Sequence, residues 1–173
     1  STKAFSNMVA SLYLFTLMLA RARTLAPHEG RNFAEELMRV PDLVEQFLNT
    51  DINVDPVVEW IQQCRSVLFL GRGLSEAVAA EGALKLMELA YVPCLAYPSG
   101  EMKHGPIALL EEGSPVIVIA PEDEVRDKTL SNLQECRARG ARVALIHTEG
   151  DPIAEHADIS IPIPRTSRWF TPF

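Results

Sequence analysis

VLFLGRGLSEAVAAEGALKLMELAYVPCLAYPSGEMKHGPIALL, residues 67–110, followed by PVIVIAP at Pro115–Pro121, decides the fold. VLFLG (Val67–Gly71) is a short unbroken apolar run that stops at a glycine, the pattern of a strand buried on both faces. A helix is expected from Leu74 to Tyr91, then a second strand in VPCLAYP (Val92–Pro98) and a third in PVIVIAP. Downstream, Asp123–Arg139 reads as a helix that Gly140 ends as a C-cap. RVALIHT (Arg142–Thr148) and DISIPIP (Asp158–Pro164) supply the fourth and fifth strands. Apolar strands that alternate with helices predict an α/β fold: a five-stranded parallel sheet, right-handed crossovers and helices on both faces, in three αβα layers. Ligands of such sheets bind outside the carboxyl ends of the strands. The loops after Leu70, Pro98, Ala120 and His147 are therefore where chemistry is expected.

Upstream, the grammar is helical. Residues 1–64 read as a helical segment packing on the domain, and 65–173 as the parallel-sheet core. A first helix is expected over Ser1–Leu25 and a turn at Pro27–Gly30. A second helix runs over Asn32–Thr50, where Phe33, Leu37, Val40, Leu43, Val44 and Leu48 recur at helical spacing and Pro41 marks a kink or break. Asp55-Pro56 opens a third helix that ends near Gln63. Ala4–Ala20 is a run of 17 uncharged residues, a little short for a membrane span and interrupted by Ser6, Asn7, Ser11 and Thr16. Arg21 and Arg23 follow it rather than precede it, unlike a signal peptide. Burial between layers or subunits is the expectation for this helix. The chain starts without Met in a segment already helical in pattern, and it ends on RTSRWFTPF, whose Trp169, Phe170 and Phe173 ask for a covering helix. Both features suggest a piece of something longer.

Composition sets the class. The chain has 173 residues, 47% of them hydrophobic and 7% aromatic, with a net charge of −7. A chain of this length buries roughly 70% of its unfolded surface and needs no disulfide or metal to hold a core. The acidic balance excludes a general nucleic-acid binder. Cys64, Cys94 and Cys136 are odd in number and lack CxxC spacing, which points to a reducing, cytoplasmic setting and no zinc module.

Three segments could carry chemistry. In GRGLSEA (Gly71–Ala77) the glycines Gly71 and Gly73 would let backbone amides approach an anion, and Ser75 is a candidate N-cap whose hydroxyl could meet a phosphate. A tight strand-to-helix turn explains the same residues. Glu76 stands where a dinucleotide fingerprint needs its third glycine, so a dinucleotide cofactor is not expected. In EGALKLME (Glu81–Glu88), Glu81, Lys85 and Glu88 share one helical face at i, i+4 and i+7. Spacing alone favours a solvated pair of ion pairs. The apolar residues around the row argue instead for a buried row with coupled, shifted pKa values. In YPSGEMKHGPIALL (Tyr97–Leu110), Glu101, Lys103 and His104 lie on a loop between Gly100 and Gly105-Pro106. His104 could act as a general acid or base near neutral pH, or be a solvated loop histidine. His28, His147 and His156 lack comparable surroundings, and no His or Cys pair has metal-ligand spacing.

Taken together, GRGLSEA, EGALKLMELAY, GEMKHGP, ECRARGARV and the opening STKAF resemble, in order, the sugar isomerase (SIS) domain. More narrowly, they resemble the second SIS half of the glutamine–fructose-6-phosphate aminotransferases. EGALK followed by KHGP at this separation is the specific part. The resemblance implies an SIS-type fold and an enzyme making glucosamine 6-phosphate from fructose 6-phosphate and glutamine-derived ammonia. It implies that Glu88 is the base moving a proton between C1 and C2 of the open-chain sugar imine. His104 would open the fructose ring and reach a neighbouring subunit's site. Lys85 and Glu81 would accompany the base. Met87 departs from the family, which often has a second lysine there. Also implied are a homodimer, no cofactor, and a glutaminase domain and first SIS half elsewhere in a full-length chain. Phosphate-binding loops and a Schiff-base lysine would lie outside these residues, so that the 173-residue chain alone would be inactive. Another phosphosugar isomerase, an amino-sugar-phosphate deglycase and a non-catalytic sugar-phosphate sensor share the fold and stay open here.

Overall fold

The computed structural model describes residues 2–173 and divides them into two compact units. One contains the residues up to Thr50 together with Phe173; the other is Asp51–Pro172.

The first unit is a pair of 22-residue helices, α1 (Thr2–Arg23) and α2 (Pro27–Leu48). The expected turn at Pro27–Gly30 is instead the first turn of α2. Pro27 fits there because a proline's missing N–H is not needed at a helix start. Glu29 reaches back to accept the Ala26 N–H at 3.0 Å. Nor does Pro41 break α2, which runs through it to Leu48. α1 is long and apolar enough to cross a membrane by length and composition, with mean hydropathy 1.3. None of its residues is buried within the chain, and Met8, Leu12 and Phe15 are all more than half exposed. Intrachain burial of this helix, one of the two settings expected for it, is therefore not what the structure shows.

The second unit carries the sheet. Helix α3 (Asp55–Gln63) leads into β1 (Val67–Gly71), α4 (Leu74–Ala90), β2 (Cys94–Pro98), β3 (Pro115–Ala120), α5 (Arg126–Ala138), β4 (Arg142–Thr148) and β5 (Ile159–Ile163). The strands pair in the order β2-β1-β3-β4-β5, and every pairing is parallel. All five residues of β1 are buried, as its unbroken apolar run requires. Alternate side chains enter opposite cores. Leu68 and Leu70 join Val116, Val118, Val143 and Leu145 under Leu133 and Cys136 of α5. Val67 and Phe69 face Ala79 and Ala83 of α4, with Ile61 of α3 beside them. The result is the expected three-layer αβα arrangement.

Helix α5 begins at Arg126 rather than at Asp123. The Asp123 carboxylate accepts the Val125 N–H at 2.9 Å, a local turn that delays the helix. Gly140, in the left-handed region at φ 82°, ends it as expected. The direction of winding reverses between β1 and β3, because α4 carries the chain to β2 on one side before β3 forms on the other. The crevice for a ligand is therefore expected at the carboxyl ends of these two strands.

Candidate active site

The turn from β1 into α4 is very tight. A Cβ added at Gly71 would collide with the Ser75 carbonyl and lie 2.7 Å from the Glu76 nitrogen. Gly73 precedes the helix at φ 60°, a conformation glycine adopts freely. Both glycines are thus demanded by the backbone itself. Ser75 is not the N-cap: it lies within the first turn of α4, is only 4% exposed, and the cap position belongs to Gly73.

Helix α4 holds the charged row as its spacing predicts. Lys85 Nζ lies 2.6 Å from Glu88 Oε2 and 3.7 Å from Glu81 Oε1, so one ammonium bridges two carboxylates. The row is not deeply buried, however. α4 packs on the sheet through small residues, with Gly82 against the Phe69 ring and only Ser75, Ala79 and Ala83 fully enclosed. Leu84, Met87 and Leu89 on its other faces are exposed, and the Glu88 side chain is 52% accessible. The hydrogen bond from Lys85 holds the Glu88 carboxyl below the usual carboxylate range, against a smaller opposing effect of desolvation. The same bond raises Lys85. At neutral pH the row therefore presents an ionised carboxylate with an ammonium beside it, a proton acceptor paired with a cation.

The second group sits on the connection after β2. Ser99 is fully buried, and its N–H donates to the Gly71 carbonyl at 2.7 Å, which joins the carboxyl ends of β1 and β2. A 3-10 turn, Met102–His104, follows. Met102 is 0% exposed within the α5-side core, and the Cys136 thiol reaches its sulfur at 3.4 Å. Lys103 pairs with Glu135 of α5 at 2.7 Å. The His104 N–H donates to the Glu101 carbonyl at 3.0 Å, while its side chain is exposed and joined to the α4 row by no hydrogen bond or ion pair. Gly71 and Ser99 meet at the crevice, the α4 triplet forms a unit, and His104 stands apart from that triplet.

Some residues escaped the sequence reading. His147 is not without surroundings: it is 3% exposed, with Nδ1 2.8 Å from the Thr148 carbonyl oxygen and Nε2 2.6 Å from Ser160 Oγ. Asp151 is clamped by Arg126 through two contacts of 2.7 and 2.6 Å and accepts the Ile153 N–H at 2.9 Å. Arg165 pairs with Glu122, and Arg168 with Glu124, so two of the three carboxylates in the loop after β3 are matched by arginines downstream. On α5, the buried residues Thr129, Asn132, Leu133 and Cys136 fall at helical spacing. That polar-apolar stripe was the available signal for contacts beneath the His104 loop. Among the described residues no group of three or more His, Cys, Asp or Glu side chains is placed to hold a metal ion. A cavity of about 540 Å³, lined by Trp60, Arg65, Ser66, Ser114 and Arg142 among others, opens at the amino ends of β1, β3 and β4. That is the pole opposite the crevice where Gly71 and Ser99 meet.

Comparison with known proteins points the same way. The SIS domain family matches residues 60–168. The glutamine–fructose-6-phosphate aminotransferase (isomerizing) of Leifsonia xyli is 46% identical over 99% of this chain, and the chain spans 29% of that relative's length. A solved C-terminal domain of glucosamine-fructose-6-phosphate aminotransferase from Francisella tularensis superposes with a TM-score of 0.91 at 38% identity, over 99% of this chain and 49% of its own. The sugar isomerase domain of an RpiR transcription factor from Sphaerobacter thermophilus has a TM-score of 0.66 at 21% identity, over 77% of this chain and 75% of its own, a likeness of fold alone. With the parallel sheet, the tight β1–α4 turn and the matched span all in agreement, the chain belongs to the SIS domain family.

Proposed function

We propose that this chain is the isomerase half of an enzyme that converts fructose 6-phosphate and glutamine-derived ammonia to glucosamine 6-phosphate. The observation that carries the reading is the Glu81–Lys85–Glu88 triplet in a chain 46% identical, over 99% of its length, to such an aminotransferase. In this reading His104 donates and accepts the proton that opens the fructose ring. Ammonia condenses at C2, and water leaves to give the imine. The Glu88 carboxylate then removes a proton from C1 and returns it to C2, and the O1 hydroxyl proton passes to the nitrogen, which together turn the ketose imine into the 2-amino aldose. No electrons leave the substrate and no cofactor enters the balance. Lys85 keeps Glu88 ionised in the resting state and can shift toward the charge that develops on the imine nitrogen as Glu88 takes the proton.

The triplet supplies no phosphate anchor. In this reading a first SIS half of the full-length chain holds the phosphate, and a glutaminase domain delivers ammonia. His104, exposed and apart from the triplet, then serves a neighbouring subunit of a homodimer. In this reading the protein works in the cytoplasm, which its net charge of −7 and three free cysteines support, and needs no nucleic-acid or membrane partner. The test is Glu88→Gln in the full-length protein. Loss of turnover with glucosamine 6-phosphate binding retained supports catalysis by Glu88. Unchanged turnover removes Glu88 from the mechanism and favours a sensing module.

A further inference from the structure

Three bonds fasten the loop that carries His104 to one face of α5, and one of them comes from a buried residue with no role in the reading above. Asn132 is 5% exposed. With its amide nitrogen turned toward the two carbonyls it faces, it donates to Ser99 O at 3.2 Å and to Lys128 O at 3.0 Å. Ser99 is the first residue after β2, and its own N–H is held by the Gly71 carbonyl. Asn132 thereby ties α5 to the point where the carboxyl ends of β1 and β2 are joined. About one turn further along α5, Cys136 and Glu135 meet Met102 and Lys103 of the loop. Of these contacts, the Lys103–Glu135 pair is partly exposed and worth little in water, and Met102 packs without directional demand. Asn132 alone supplies a buried, directional bond to the backbone from which the loop springs.

Resting on the reading of His104 given above, we infer that Asn132 is a positioning residue for it. The buried amide fixes the Ser99 carbonyl, and with it the path of Gly100–Gly105, so that the imidazole is presented in one place. A reacting group displaced by about 1 Å can lose on the order of a hundredfold in rate, whereas in the proposed reading the phosphate is held by the first SIS half and its affinity rests on that half. Loss of the Asn132 bond therefore lowers kcat while leaving KM nearly unchanged.

The experiment uses the full-length enzyme with fructose 6-phosphate and glutamine. Asn132→Asp puts a carboxylate against two carbonyl oxygens; Asn132→Ser, milder and chosen in case the first does not fold, is too short to reach Ser99. Leu133→Val, a neighbouring change in the same buried helix face, shares a core with Met102 but leaves the Asn132 bond in place, so it lowers Tm without removing the directional tie and serves as the control. The expected result is a fall of about tenfold to a hundredfold in kcat for Asn132→Ser, with KM for fructose 6-phosphate and the glutaminase rate within about twofold, and Leu133→Val within twofold on all three. In the double variant with His104→Gln, the Asn132→Ser effect disappears, because the residue it positions is gone. Normal kcat in Asn132→Ser, or an undiminished effect of Asn132→Ser in the His104→Gln background, overturns the inference while leaving the role of His104 intact. Full turnover by His104→Gln alone instead overturns that role, and the inference with it.

Discussion

Replacing Met102 by Ala tests whether the His104 loop is an anchored element or a surface excursion. Met102 is 0% exposed and sits among Leu68, Leu133, Cys136 and Leu145 in the core on the α5 side of the sheet. Truncation removes the buried thioether chain and leaves a cavity that rigid strands on one side cannot collapse. Large-to-small changes of this kind cost about 2–5 kcal/mol. For a chain of this size each kcal/mol lowers Tm by roughly 2–4 °C, so a mid-range loss of about 3 kcal/mol corresponds to a fall of about 6–12 °C. Two controls bracket it. Met102→Leu conserves volume and costs less than about 1.5 kcal/mol, while Met87→Ala, on the exposed face of α4 and 38% accessible, stays within about 1 kcal/mol of the parent. Thermal unfolding followed by far-UV circular dichroism ranks the three directly. If Met102→Ala and Met87→Ala melt within 2 °C of each other, roughly the resolution of this comparison, the loop is not held by Met102 and the anchoring argument fails.

Further outcomes follow from the charged contacts and the tight turn. Arg126→Met strands the Asp151 carboxylate, whose side chain is 2% exposed; because Arg126 itself is 25% exposed, the loss is about 2–3 kcal/mol, below the range for a fully enclosed pair. Arg126 holds Asp151 below its usual pKa, so the pair's contribution is present above the ordinary aspartate range and fades as pH falls through that lowered value. The Tm gap between parent and variant should accordingly narrow in acid, and a gap that widens on acidification contradicts the assignment. Lys85→Met removes the hydrogen bond that depresses Glu88; the Glu88 carboxyl carbon, followed by NMR, should titrate at higher pH than in the parent, and an unmoved or lower midpoint refutes the pairing. Gly71→Ala forces a methyl into the backbone of the α4 first turn and should lower stability by about 1–3 kcal/mol, whereas an unchanged Tm would show that the turn has slack.

Much of this architecture is legible in the chain because the driving patterns are local. β1 and β4 occupy the residues that VLFLG and RVALIHT mark, since a strand buried on both faces leaves an unbroken apolar run. The α4 row is likewise local, as helical spacing brings Glu81, Lys85 and Glu88 together whatever surrounds them. Misreadings arose where one residue has two uses. Pro27 serves a helix start as well as a turn, and Asp123 begins a turn rather than the helix. The apolar residues of α4 suggested a helix buried all round, but apolar content does not say how many faces find a partner: the sheet takes only the Ala79–Ala83 stripe. Anchoring of the His104 loop lay out of reach for a different reason. Ser99 and Asn132, or Met102 and Cys136, meet only once β2 and α5 have packed on the same sheet.

In the proposed function, everything downstream of ring opening depends on Glu88 moving the proton between C1 and C2. The most direct measurement of that transfer is deuterium incorporation at C2 of glucosamine 6-phosphate made by the full-length enzyme in D2O, compared with exchange at C1 of fructose 6-phosphate left unconverted, both read by NMR. A single carboxylate that collects the proton and partly loses it to solvent predicts deuterium at C2 in the parent. In Glu88→Gln it predicts neither product nor C1 exchange, with the ligand still bound. Product or C1 exchange in Glu88→Gln at the parent's rate would contradict the claim.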